Sequence, residues 1–184
     1  DPKGIELLAK EAYNDVSFYL RSAHLQKLNN ILNDAEATDN DKFVAYTMLL
    51  NQATAAEGEL PTCQDTGTAI CIGHKGEDVY TGADDAECIA RGVYETYKER
   101  NLRYSQVVPF TMTEEKNSGT NLPAQIDIYA GHPGSMEYEF LFITKGGGSA
   151  NKTFLYQQTK ALLNEKSLTE FIKKHILDLG TSAC

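Results

Sequence analysis

The sequence predicts a mixed α/β domain in which a helical N-terminal layer packs on a small mixed sheet with flanking helices. Three observations carry this prediction. Apolar residues recur at three- and four-residue steps through most of the first 58 positions, the spacing of amphipathic helices. The middle of the chain then turns to strand-like runs, "QIDIYA" and "EYEFLFIT". The second run leads straight into "KGGGSANK" and renewed helical periodicity, so a strand hands over to a loop and then to helices. With 184 residues, 41% hydrophobic and 23% charged, the chain can bury one sizeable core, and residues 1–184 read as one domain.

In the first helix, Ile5, Leu8, Ala12, Val16 and Tyr19 form one apolar face. A second run, Leu25, Leu28 and Leu32, ends at the polar break "NDAEATDND". Thr38 and Asp41 have capping-box spacing, and Phe43, Thr47 and Leu50 follow on a helix that should stop near Gly58. "AICIG" is a short strand, and "GADDAECIARGVYETYKERN" a helix with Ala86, Ile89, Ala90, Val93 and Tyr97 on its face. "GHPGS" between the two later runs is turn chemistry and predicts a hairpin whose second strand enters the core. Two closing helices are expected, about Thr153 to Leu163 and Leu168 to Leu179, the latter capped by Ser167 and Glu170 and stopped at Gly180.

A formal net charge of −9 argues against a nucleic-acid or anionic-membrane surface. No apolar run reaches the ~20 residues needed to cross a membrane. The opening "DPKGIELLAKEAY" reads as a helix rather than a secretory leader, and both ends look cut from something longer. Cys63, Cys71, Cys88 and Cys184 include no C-x-x-C pair, so neither a zinc ribbon nor a bacterial ferredoxin pattern is present. A reducing, cytoplasmic setting is expected. His24, His74, His132 and His175 form no set, and none is assigned to a metal; His175 reads as a core or boundary residue beside Phe171 and Ile172.

Two stretches look like sites. In "LPTCQDTGTAICIG", Cys63 is followed at once by Gln64, Asp65, Thr66 and Gly67, neighbours unlike those of a buried structural thiol. In "KGGGSANK", three consecutive glycines cost backbone entropy and require a reason. An anion held by aligned amides, with Lys145 and Lys152 beside it, is favoured over a flexible turn because the loop joins a strand to a helix. It has neither the Walker A order nor the G-x-G-x-x-G order. Arg103 in "ERNLRYSQ" has two readings, neutralising a helix C-terminus or clamping a carboxylate bidentately.

"LPTCQDTGTA", "NLRYSQ", "TNLPAQID", "KGGGSANK" and "LGTSAC" occur here in one order. Together they resemble the N-terminal domain of class I, iron–sulfur fumarate hydratases, over nearly the whole chain; the related tartrate dehydratases share much of the pattern. The resemblance implies that Cys63 and Cys184 are two of three thiolate ligands to a 4Fe-4S cluster, the third lying outside this chain. It implies an open iron acting as a Lewis acid, with Asp65 as an acid/base group, Gln64 and Arg103 binding a dicarboxylate, and amides near Gly146 receiving its oxygens. Cys71 and Cys88 match no ligand position. The implied reaction is reversible hydration of fumarate to (S)-malate. The implied partners are a C-terminal domain of the same enzyme and a second copy in a homodimer, with the isolated fragment inactive. The alternatives are L-tartrate dehydration, a non-catalytic anion- or phosphate-binding domain, and a zinc-stabilised interaction module.

Overall fold

The structure, a computed structural model, describes residues 1–151 and 153–179. These residues form two compact units, divided after Lys145. In the first unit the elements are α1 (Pro2–Phe18), α2 (Ser22–Leu32), α3 (Asp39–Ala55), β1 (Thr68–Lys75), α4 (Asp85–Glu99), β2 (Val107–Pro109), β3 (Glu115–Asn117), β4 (Gln125–Ala130) and β5 (Tyr138–Lys145). It is the expected α/β arrangement of helices on a small mixed sheet. No described helix is long and apolar enough to cross a membrane.

The core lies between one face of the sheet and the pair α1 and α4. Asp1 caps α1 by accepting the Lys3 amide at 3.0 Å, and Pro2 sits in the first turn, where its missing N–H costs nothing. Ile5, Ala9, Tyr13 and Phe18 of α1 are buried with Cys88, Ile89, Val93 and Tyr97 of α4. Gly92 lets the two helices meet: a Cβ there would lie 2.5 Å from the Glu6 carbonyl oxygen. The neighbouring Thr96 hydroxyl donates to the Lys10 carbonyl at 2.9 Å. Ala69 and Cys71 of β1 close the core from the sheet side, with Phe140 and Phe142 of β5 and Ile126 of β4 packed against it. Burial pushes the Cys71 thiol up to about 11, so it stays a neutral core residue.

The Thr38–Asp41 capping box forms as expected, with Asp41 N donating to Thr38 Oγ1 at 3.2 Å and Thr38 N to Asp41 Oδ2 at 2.9 Å. The face expected for α3 does not. Phe43 and Leu50 are exposed, and Ala45, Gln52 and Ala55 are buried instead. α3 pairs with α2 rather than with the sheet. Gln52 also donates to the Phe18 carbonyl at 2.7 Å, which ties α3 to the end of α1.

The expected hairpin is also corrected. The strand order is β4-β1-β5, with β1 parallel to β4 and antiparallel to β5. β1 takes the centre because it is apolar on both faces. Ala69 and Cys71 point to the core, and Ile70 and Ile72 are half-buried opposite, whereas β4 and β5 carry Gln125, Asp127 and Glu139. The turn at "GHPGS" exists, with Ser135 N donating to the His132 carbonyl at 3.1 Å, but its loop straddles the end of β1. Gly131 N donates to Lys75 O at 2.7 Å and Gly76 N to Glu137 O at 2.9 Å. Nothing larger than glycine fits at position 76, since a Cβ would stand 2.3 Å from the Ser135 carbonyl oxygen. The short β2–β3 ladder, pairing Val107 with Asn117, has no counterpart in the sequence reading because its residues are largely exposed and show no apolar alternation.

The second unit contains a short turn of helix α5 (Gly148–Asn151), a 3-10 turn (Lys160–Leu162) and α6 (Glu165–Leu179). The helix expected from Thr153 to Leu163 is therefore reduced to that single turn. Leu155 is 97% exposed and Leu163 71% exposed, so the segment's leucines form no buried helical face, and short helices without one are marginal in water. α6 starts earlier than expected, with Asn164 Oδ1 accepting the Ser167 amide at 2.9 Å, so Asn164 caps in place of Ser167. Its expected stop at Gly180 lies outside the described residues. His175 is a boundary residue, 4.0 Å from the Tyr156 ring and 4.5 Å from Phe171 between centroids.

Candidate functional site

The loop between α3 and β1 carries Cys63, Gln64 and Asp65 and is held from both sides. At its start, Thr62 N donates to Ser17 O at 2.8 Å, and Asn51 Nδ2 donates to Thr62 O at 2.8 Å. Cys63 is half-buried, and the Asp65 amide donates to its Sγ at 3.4 Å. Gln64 is exposed and Asp65 half-buried, so both side chains reach solvent from a fixed backbone. Thr66 and Gly67 are buried. The Thr66 carbonyl accepts from Tyr97 Oη at 2.9 Å, and the Gly67 carbonyl accepts from Asn121 Nδ2 at 3.0 Å. Burial pushes the Tyr97 hydroxyl up to about 12, so it remains a donor throughout the physiological range.

Arg103 arrives from the other side. α4 closes through Asn101 in the left-handed region, φ 51°, and Leu102 N donates back to Tyr97 O at 3.0 Å. Leu102 is then buried as a plug, 4% exposed, while Arg103 points outward. The Thr66 hydroxyl donates to the Arg103 carbonyl, so a side chain of one loop holds the backbone of the other. Among the described residues the Arg103 guanidinium has no ion-pair partner. The neighbouring Arg100 donates to Gly58 O at 2.9 Å and lies over the Phe18 ring at 4.6 Å.

The sequence-predicted set is thus brought together in part. Cys63, Gln64, Asp65 and Arg103 share one end of the sheet in the first unit. Lys145, the residue before Gly146, is the register partner of Thr68 at that same end of β1. Gly146 itself belongs to the second unit, where Asn151 N donates to Gly147 O at 3.1 Å. Cys184 and Lys152 lie outside the described residues. Among the described residues no three His, Cys, Asp or Glu side chains stand close enough to hold a metal ion. The donor chemistry nevertheless fits a thiolate-held cluster at one position. Cys63 is half-buried with a backbone N–H aimed at its sulfur, whereas Cys71 and Cys88 are sealed in the core at 0% exposure. An open cavity of about 380 Å³ lined by His74, His132, Glu137 and Glu139 contains none of these residues.

Sequence reasoning missed the residues that hold the two loops. Asn121 is 0% exposed. Its Oδ1 accepts the Ser105 amide at 2.7 Å, and Gln106 Nε2 donates to Thr68 Oγ1 at 2.7 Å. An asparagine before Leu-Pro reads as turn chemistry, so only its place inside a quoted motif singled it out.

A family model described as fumarate hydratase (fumerase) matches residues 6–184. The chain is 56% identical over 183 residues to "Fumarate hydratase class I, aerobic" of Escherichia coli (strain K12), covering 100% of this chain and 33% of that protein. It is 53% identical over 184 residues to "Fumarate hydratase 1, mitochondrial" of Leishmania major, again covering 100% of this chain and 33% of the relative. A "Putative L(+)-tartrate dehydratase subunit alpha" of Methanocaldococcus jannaschii is 27% identical over 180 residues, 95% of this chain and 61% of the relative. The chain therefore spans about a third of the length of its fumarate hydratase relatives.

Proposed function

The chain belongs to the fumarate hydratase family, and from that membership we propose that residues 1–184 are the N-terminal domain of a hydro-lyase interconverting fumarate and (S)-malate. The observation that carries the reading is the meeting of two loops through Thr66, which sets the Cys63–Asp65 segment against Arg103. A proton-transferring carboxylate and an available guanidinium at one sheet end suit a dicarboxylate that must lose or gain the elements of water.

Each residue has a task in that reaction. Arg103 clamps one substrate carboxylate with its planar fork. Gln64, exposed on the Cys63 loop, hydrogen-bonds the substrate. Asp65 takes or returns one of the protons exchanged when a C–H and a C–OH bond are made or broken across the double bond. Backbone amides at Gly146 receive carboxylate oxygens, as glycine loops do. Cys63 and Cys184 would hold a 4Fe-4S cluster with a third thiolate from outside this chain. When bound, the cluster supplies Lewis acidity for the departing hydroxyl. The reading includes a homodimer of the full-length protein, a cytoplasmic setting, and an inactive isolated domain, because two-thirds of the relatives' length is not represented here.

The test is to reconstitute the full-length protein anaerobically with iron and sulfide and to assay fumarate and L-tartrate side by side, with Asp65→Asn as control. Fumarate turnover lost in the variant is the expected result. Turnover of tartrate alone would move the protein to the dehydratase reading. Phosphate binding by the 1–184 chain without any turnover by the full-length protein would leave a non-catalytic anion-binding domain.

A further inference from the structure

Asn121 lies on neither predicted site loop, yet its side chain touches both. It is 0% exposed and sits at φ 56°, in the left-handed region that asparagine tolerates better than most residues. Its Oδ1 accepts from Ser105 N at 2.7 Å, and its Nδ2 donates to Gly67 O at 3.0 Å. Ser105 stands two residues after Arg103, and Gly67 two residues after Asp65. The neighbouring bridges run in the same order. Thr66 Oγ1 donates to the Arg103 carbonyl, and Gln106 Nε2 to Thr68 Oγ1 at 2.7 Å. Positions 66, 67 and 68 are thereby matched to 103, 105 and 106 without any backbone-to-backbone pairing between the two segments.

A buried amide is costly unless both its ends are satisfied, and here each end satisfies a backbone group of a different loop. Glycine would supply the backbone conformation but not the bridge. Aspartate would keep the acceptor for Ser105 but turn a second acceptor on the Gly67 carbonyl. Resting on the hydro-lyase reading, we propose that Asn121 is a positioning residue that sets the Arg103 loop against the Cys63–Asp65 loop, so that guanidinium and carboxylate meet one substrate at a fixed separation. The Arg103 head is left outward while its carbonyl and the amide two residues on are both held. Thr66 assists in the same way from the other loop.

The experiment is a double-mutant cycle in the full-length, cluster-reconstituted protein, using Asn121→Ala, Asn121→Asp, Arg103→Ala and their combinations, with kcat and KM for fumarate read separately and a thermal melt for each. A misplacement of this kind should lower kcat/KM by about 10- to 100-fold in the Arg103 background. Because the loss is transmitted through Arg103, it should shrink to within about threefold once Arg103 is alanine. An equal loss in both backgrounds means a merely structural role and overturns the proposal, as does a loss within about threefold in the Arg103 background. If neither Asn121 variant melts cooperatively, Thr66→Val carries the same cycle with Thr66→Ser as the restoring variant. Background-dependent loss for Val with recovery in Ser supports the proposal, and any other pattern overturns it. Wild-type protein inactive on fumarate removes the hydro-lyase reading and the proposal together. Active wild type with unaffected variants removes the proposal alone.

Discussion

The two ends of β1 treat charge in opposite ways. At its far end, Lys75 Nζ lies 2.7 Å from Asp85 Oδ2, and Tyr138 Oη donates to the same oxygen at 3.1 Å. Asp85 is 7% exposed, and while its Oδ2 takes both contacts its Oδ1 is buried without a hydrogen-bond partner among the described residues. At the near end, Gln64 and Arg103 face outward from loops whose backbones are pinned by Asn51, Thr66, Tyr97 and Asn121. Polar side chains at the far end consume one another. At the near end they hold backbone groups, with Gln64 and the Arg103 guanidinium left exposed. Side chains paired with one another mark a structural knot; exposed polar heads on a pinned frame are what a ligand site needs.

That contrast is broken most sharply by exchanging losses between the two ends. In the full-length enzyme, Asp65→Asn should lower kcat by about 10²- to 10⁴-fold with an unchanged melt, the range expected for a lost acid/base group. Asp85→Asn should leave kcat untouched, and a comparable fall there would dissolve the distinction. Arg103→Lys comes next. It keeps the charge but loses the fork, and should raise KM for fumarate about 10-fold or more while kcat changes less. The measurement is a pair of saturation curves in both reaction directions.

Asp85→Asn should instead cost about 1–3 kcal/mol of stability, read by denaturant unfolding, since it weakens a largely buried hydrogen-bonded pair. The sign of its pH dependence follows from the Asp85 carboxyl. Burial opposes ionisation, but hydrogen bonding by Lys75, Thr81 and Tyr138 and the Lys75 charge together outweigh it and hold the group below its ordinary 3.8. Folded protein therefore binds this proton later than unfolded protein does. The contribution is present above about pH 3.8 and is lost as pH falls through the folded value. Asp85→Asn should flatten that acid limb, and an unchanged limb would assign it to other carboxylates. The smallest effect is expected from Tyr97→Phe, which removes a donor from the buried Thr66 carbonyl. It should cost about 1 kcal/mol and lower kcat/KM less than Asn121→Ala does.

Much of the frame was legible in the chain. The caps at Thr38 and the apolar spacing of Ile89, Val93 and Tyr97 act locally, so α3 and α4 form where their patterns begin and end. Partner choice was not legible in the same way. "QIDIYA" and "EYEFLFIT" have the look of a hairpin, and only the two-sided apolar character of Ile70, Cys71 and Ile72 argues that a third strand comes between them. Phe43 and Leu50 seemed to define a core face, but nothing local says that α3 would turn Ala45 and Ala55 to its partner instead. At the site, Cys63, Gln64 and Asp65 stood out because polar groups crowd a sulfur. Asn121 did not, because its role depends on two loops that are distant in sequence and meet only in the fold.

The insertion of β1 between β4 and β5 has a consequence for assembly. The segment bearing Cys63, Gln64 and Asp65 runs into a strand whose two sheet partners emerge from synthesis long after it. The helical pair α1–α4 can form from earlier chain, but β1 has no strand partner until residues 125–145 arrive. Such non-local pairing is slow to close. The side of the Cys63–Asp65 loop that runs into the sheet is accordingly finished late.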